Sequence, residues 1–376
     1  MIDYQSANGA MRTLTLDIVD YPGEWLLDLP LLDKSYEQWS AESLVQSRNG
    51  ARRELAAKWH AHLGTLDPAQ PADESAAIES ARLFTDYLHA CRDDRYAMSL
   101  LPPGRFLMPG DMAGSPALTF APLELSGDDE PPAGSLWAMM RRRYDAYREA
   151  IVRPFFREHF ARLDRQIVLV DALAAFNAGP EAVRDLQGAL VSILDCFRVG
   201  RTGILSALFS PKVDKILFAA TKADHLHHTG HDRLEAILKR MTERAIEKAN
   251  FSGAEVDVIA LAAVRATREG TVRGEGGPLP TIVGVAAPGE VAGGRTFDGQ
   301  TEIAVFPGDL PRDPAELFDP KSELFRGLTH ASPQDSDYRF VRFRPPLLEQ
   351  LDGGNPALPH IRLDRALQFL IGDRLK

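Results

Sequence analysis

From Arg12 to Asp20 apolar and polar positions alternate, with Leu14, Leu16 and Ile18 on one side and Thr13, Thr15 and Asp17 on the other. A period of two predicts a strand. It is closed by the turn Asp20-Tyr21-Pro22-Gly23 and followed by an apolar segment, Trp25 to Leu32. From Ser35 to about Arg165 the spacing becomes mostly helical, broken by turn-forming runs at Leu66–Ser75, Leu101–Gly104 and Ser126–Ser135. After Ser135, Trp137, Met140, Tyr144, Tyr147 and Ile151 fall near one helical stripe, which Pro154 is expected to bend or break. A stripe of that kind is read as core.

A strand–helix–strand–helix–strand series follows. Gln166–Asp171, Lys215–Thr221 and Glu255–Ala263 are near-continuous apolar runs. The first intervening helix opens at Gly179-Pro180 and places Val183, Leu186, Leu190, Ile193 and Phe197 at helical spacing; the second runs from about His231 to Asn250. Apolar strands alternating with helices predict an α/β fold whose parallel sheet is covered on both faces. Nine glycines between Gly270 and Gln300, with strand-like runs at Glu302–Phe306 and Tyr338–Arg344, predict a small antiparallel insertion. A closing helix sets Leu363, Leu367 and Leu370 on one face.

Length and composition narrow this picture. The 376 residues, 44% of them hydrophobic, suffice for two or three domains. A formal charge of −10 argues against a nucleic-acid groove or an anionic membrane surface as partner. Two cysteines offer neither a disulfide framework nor metal spacing, there is no signal-peptide pattern, and no apolar stretch is long enough for a transmembrane segment. The expected location is cytoplasmic.

The candidate chemistry lies at the carboxyl ends of the strands, where open parallel sheets hold ligands. Thr221-Lys222-Ala223-Asp224 closes the second apolar strand and reads as a guanine-specificity loop. The Asp224 carboxylate can accept from guanine N1–H and the exocyclic amine, and the Lys222 stem can lie over the base. Ala262-Ala263-Val264 ends the next strand, and the backbone amides of Ala263 and Val264 there are offered to guanine O6. At the other end, the spacing of Asp20-x-x-Gly23 suits a Mg²⁺-holding carboxylate and a γ-phosphate-contacting amide, and Glu24 stands where it could orient the attacking water. A Gly-x-x-x-x-Gly-Lys-[Ser/Thr] phosphate loop is absent from the 376 residues. Four histidines between His225 and His231 are read as a loop and helix start, since no carboxylate–histidine helix motif accompanies them. Asp28 and Asp171 are read as helix-capping or ordinary polar residues.

The segments Asp17–Trp25, Pro103–Gly110, Phe218–His225 and Phe340–Pro346 together resemble the YcjX-like proteins, bacterial P-loop NTPases associated with stress response and regarded as GTP-binding. The resemblance spans essentially the whole chain. It implies a GTPase-like P-loop sheet missing its first strand or strands, formed by residues 1–33, 165–270 and 358–376. A helical insertion (34–164) and a β-rich insertion (271–357) would interrupt it. GTP, or alternatively ATP, with Mg²⁺ would be the cofactors, and a protein partner is unidentified. The resemblance also implies a preceding segment that carries the phosphate loop. The expectation is therefore an N-terminally truncated member impaired in hydrolysis. The alternative is a non-enzymatic interaction protein with a vestigial site. Without the central strand, those ending at Asp20 and Asp171 are expected either to pair or to flank a groove.

Overall fold

The computed structural model describes residues 1–125, 130–196, 213–251, 253–274, 277–292, 294–318, 340–346 and 358–376. The chain divides into an α/β unit (1–18, 164–187 and 212–376) and a helical unit (19–163 and 188–211).

The α/β unit begins with a hairpin. Strand β1 (Ile2–Gln5) pairs antiparallel with β2 (Met11–Leu14), Ile2 lying opposite Leu14 and Gln5 opposite Met11. The turn is closed by Ser6 N–H to Ala10 O and Gly9 N–H to Ser6 O, with Gly9 at φ +83°. This corrects the predicted strand Arg12–Asp20, which stops at Leu14. Ile18, expected on a buried face, is 86% exposed. An alternating pattern fixes the local period but leaves the pairing partner open, and here the partner is the chain just before it. Among the described residues β2 pairs only with β1, so the expected direct pairing with the strand that ends at Asp171 is not made.

The central sheet is parallel, in the order β3 (Arg165–Val170), β4 (Lys215–Ala220), β5 (Glu255–Ala260), with Arg165, Lys215 and Glu255 in register. Ile216 to Ala220 are all buried, which explains why β4 reads as an unbroken apolar run. Leu217, Ala219, Ile259 and Leu261 pack against Ala366, Leu363, Phe369 and Leu370 of the closing helix Leu363–Ile371, whereas Leu367 points outward. Coverage on both faces does not extend to β3, where Val168 and Val170 are buried but Ile167 and Leu169 are exposed. From β6 (Arg268–Gly274), β7 (Gly277–Val285) and β10 (Glu302–Val305) a separate three-stranded antiparallel sheet is built, in the order β10–β7–β6. A short ribbon joins β8 (Val291–Ala292) to β9 (Arg295–Thr296). Residues 338–339 of the expected strand Tyr338–Arg344 lie outside the described residues. The rest is irregular, with Phe343 bridging to Ala286 and both buried beside Val341 and Ile282.

The helical unit is built on aromatic packing. Trp39 stacks on Tyr144 and meets Phe84 and Phe120 edge-on. The helix Leu136–Tyr147 buries Trp137, Met140, Tyr144 and Tyr147, as its stripe predicts. It continues through a π segment, Arg148–Val152, into the helix Arg153–Glu158. Pro154 has no N–H to give the preceding turn, so the hydrogen-bond spacing widens just before it and the helix reorganises instead of ending. Asp28, expected as a helix cap or an ordinary polar residue, is buried: it accepts from the Tyr147 hydroxyl at 2.7 Å and the Gly104 amide at 2.8 Å. In the second half of the helix Pro180–Asp195, Ala189 and Ile193 join this unit's core as the spacing requires, while Phe197 lies outside the described residues.

Candidate guanine-binding loop

β4 ends at Ala220, and the chain must turn sharply at the sheet's carboxyl edge. Thr221 keeps one last ladder-like bond, its N–H donating to Val170 O at 3.0 Å. Lys222 then adopts a left-handed conformation, φ +60° and ψ +33°, which reverses the chain into a short 3₁₀ turn, Ala223–His225. Such a conformation is costly for a side chain with a Cβ and persists only where its neighbours fix it. The neighbours do so. Ala223 N–H donates to Leu261 O at 3.1 Å, and the His231 ring nitrogen donates to Ala223 O at 2.9 Å. Lys222 Nζ lies 2.6 Å from Asp171 Oδ2 at the end of β3, while Asp171 also caps the helix Ala172–Ala178.

Asp224 is 4% exposed. Its Oδ2 accepts from the Ala266 amide at 2.8 Å, and its main-chain carbonyl accepts from the Thr267 hydroxyl. The loop after β5 thus orients the carboxylate. That same loop holds Ala263 and Val264, at or near the surface. Their amides make no hydrogen bond among the described residues, whereas Ala262 and Arg265 on either side donate to Ile361 O and Pro359 O. A carboxylate fixed by one oxygen, with two uncommitted amides on the adjoining loop, is a donor–acceptor set of the kind a guanine edge requires. His225 follows, stacked edge-on against Phe343 at 5.4 Å; burial holds its imidazole below its usual range, against the opposing pull of Asp224.

The phosphate-end residues belong to the helical unit. Asp20 and Gly23 are exposed, Asp20 in an irregular segment and Gly23 at the start of the 3₁₀ stretch Gly23–Asp33. A methyl group added at Gly23 would meet nothing within 4 Å. Glu24 forms an ion pair with Arg92. These three belong to the helical unit, and Thr221, Lys222, Asp224, Ala263 and Val264 to the α/β unit. Among the described residues one group of three has metal-ligating atoms close together, His227, His228 and Glu269, and Asp20 is not part of it. Among the described residues, then, the loop after β4 brings one acceptor and two free amides together, and Asp20 stands in no cluster of metal-ligating groups. Sequence spacing missed the Asp171–Lys222 pair and the Ala266 amide, because both partners come from other strand ends. The signal available was that all three strands end at the same edge.

No helix among the described residues is long and apolar enough to cross a membrane. Comparison with known proteins gives a match to the YcjX-like family (DUF463) over residues 2–375. A protein of Escherichia coli (strain K12) named Ras-like GTPase YcjX is 40% identical over 375 residues, covering 97% of this chain and 73% of that protein. A protein of Shewanella oneidensis with the same name is 34% identical over 372 residues, covering 97% of this chain and 71% of the relative.

Proposed function

The chain belongs to the YcjX-like family, and from that premise we propose that it reads guanine nucleotides through the loop at the end of β4. Asp224 accepts from guanine N1–H and the 2-amino group, Val264 and Ala263 donate toward O6, and the aliphatic stem of Lys222 covers the base. Thr221 shapes the turn. The observation that carries this reading is the fixing of Asp224 by Ala266 and Thr267 beside the uncommitted amides of Ala263 and Val264. The relatives' name, Ras-like GTPase, supports GTP over ATP as the nucleotide.

The 376 residues contain no Gly-x-x-x-x-Gly-Lys-[Ser/Thr] motif and no Gly-Lys pair. P-loop hydrolysis depends on the backbone cradle and lysine that such a motif supplies to the β- and γ-phosphates. Assignment of Asp20 to Mg²⁺, Gly23 to the γ-phosphate and Glu24 to the attacking water rests on spacing and family resemblance, and Glu24 would first have to leave Arg92. Each charge-assisted bond from guanine to Asp224 contributes about 1.5–3 kcal/mol. Millimolar binding requires about 4 kcal/mol. Two such bonds place the base alone near that threshold, so the polypeptide should hold GTP weakly and turn it over slowly.

The test exploits purine chemistry. Xanthine carries a carbonyl where guanine has its 2-amino group, so Asp224→Asn would offer it a donor in place of a repelling oxygen. The expected outcome is that Asp224→Asn weakens guanosine nucleotides at least tenfold and improves xanthosine nucleotides, measured by ligand-observed NMR. Unchanged preference in the variant would remove Asp224 from base recognition.

A further inference from the structure

Beyond the nucleotide loop, we infer that His227, His228 and Glu269 form a binding site for a transition-metal dication of the zinc class, clipping the loop after Asp224 to the start of β6. Glu269 Oε2 lies 2.8 Å from His228 Nδ1 and 3.8 Å from His227 Nε2, and all three ligating atoms fall within 4.8 Å of one another. Tetrahedral zinc holds imidazole nitrogen and carboxylate oxygen at about 2.0–2.2 Å, which puts its ligands a little over 3 Å apart. The two carboxylate–imidazole spacings bracket that value. The donor set, two imidazoles and one carboxylate, suits zinc and its neighbours better than magnesium or calcium, which prefer oxygen.

The surrounding bonds are those a metal site uses to orient its ligands. His227 Nδ1 pairs with the Thr229 hydroxyl at 3.1 Å, which turns Nε2 toward the carboxylate. The other oxygen of Glu269 is anchored by the His228 amide at 3.1 Å, with Arg265 at 3.9 Å. Such outer partners fix ring orientation and tautomer, and losing them commonly costs tenfold or more in affinity. The His227 side chain is 18% exposed and that of His228 62%, leaving an open approach and room for water at a fourth position.

Placement gives the site a consequence. His227 and His228 follow Asp224 by three and four residues, and Glu269 follows the two residues, Ala266 and Thr267, that hold Asp224. A bound dication would tie together the two loops that orient the carboxylate. Metal binding at these three residues does not depend on whether the loop reads guanine.

The experiment is a zinc titration of the full 376-residue chain against a chromophoric chelator, with the melting temperature followed in parallel. One competing zinc ion per chain is expected, with a rise in melting temperature. Glu269→Gln and, separately, His228→Ala should each weaken that ion at least tenfold and abolish the thermal shift, while circular dichroism confirms that both variants fold. Cobalt substitution should show the visible absorption of a four-coordinate nitrogen–oxygen site. Equal zinc affinity in wild type and both folded variants, or a wild type that cannot compete with the chelator, would overturn the inference.

Discussion

Asp28 and Asp224 are both buried aspartates, and their neighbours give them different work. Asp224 follows the end of β4 and is held by Ala266 and Thr267 of the loop after β5. Asp28 sits inside the helical unit, where desolvation pushes its pKa up to about 7 despite bonds from Tyr147 and Gly104 and the nearby charge of Arg105. The sign follows from linkage. The folded state holds this proton more tightly than the unfolded chain, so stability falls as pH rises from about 4 to about 7 and the loss is complete above that. Thermal melts of the wild type should show this decline, and Asp28→Asn, which keeps an acceptor for Gly104, should lessen the slope. An identical slope in both proteins would show that Asp28 is not the titrating group. Neither aspartate's environment was legible in the sequence beyond the motif around Asp224. Tyr147 lies 119 positions from Asp28, and a left-handed residue such as Lys222 leaves no mark in hydrophobic periodicity.

At the scale of elements, long apolar runs declared themselves and short polar ones did not. The strands β3, β4 and β5 and the helix His231–Phe251 lie where the spacing put them, because burial of a whole strand or stripe dictates many residues at once. The Arg12–Asp20 run stops at Leu14 as a strand because Asn8-Gly9, a strong hairpin signal, turns the chain just before it back to pair with it. Gly104 makes an element-scale test. A methyl group there would collide with the Glu24 carbonyl, and the Gly104 amide is the donor to Asp28. Gly104→Ala should destabilise the protein by about 3 kcal/mol or more in denaturant melts, since backbone atoms would have to move. Gly23→Ala, with open space around it, serves as the control and should change stability by less than about 0.5 kcal/mol. Equal effects of the two substitutions would contradict the packing of Glu24 on the Pro103–Leu107 turn.

For the molecule as a whole, family membership was legible from four short segments and is matched from residue 2 to residue 375. The α/β class and the parallel sheet follow from apolar patterning, whereas the division at Ile18–Val19 does not, because no composition change marks it. A formal charge of −10 should keep the protein off nucleic acid, so no retardation of duplex DNA or RNA is expected at physiological salt. The central claim is that selectivity for guanine resides in the β4 loop and does not require a phosphate cradle. Its most direct measurement is a side-by-side titration of the 376-residue protein with GDP and ADP by chemical-shift mapping. The account predicts saturable shifts with GDP confined to residues near Thr221–Asp224 and Ala263–Thr267, an affinity at least tenfold weaker for ADP, and loss of the GDP response in Asp224→Asn. Equal affinities for the two nucleotides, or GDP shifts that persist unchanged in Asp224→Asn, would contradict it.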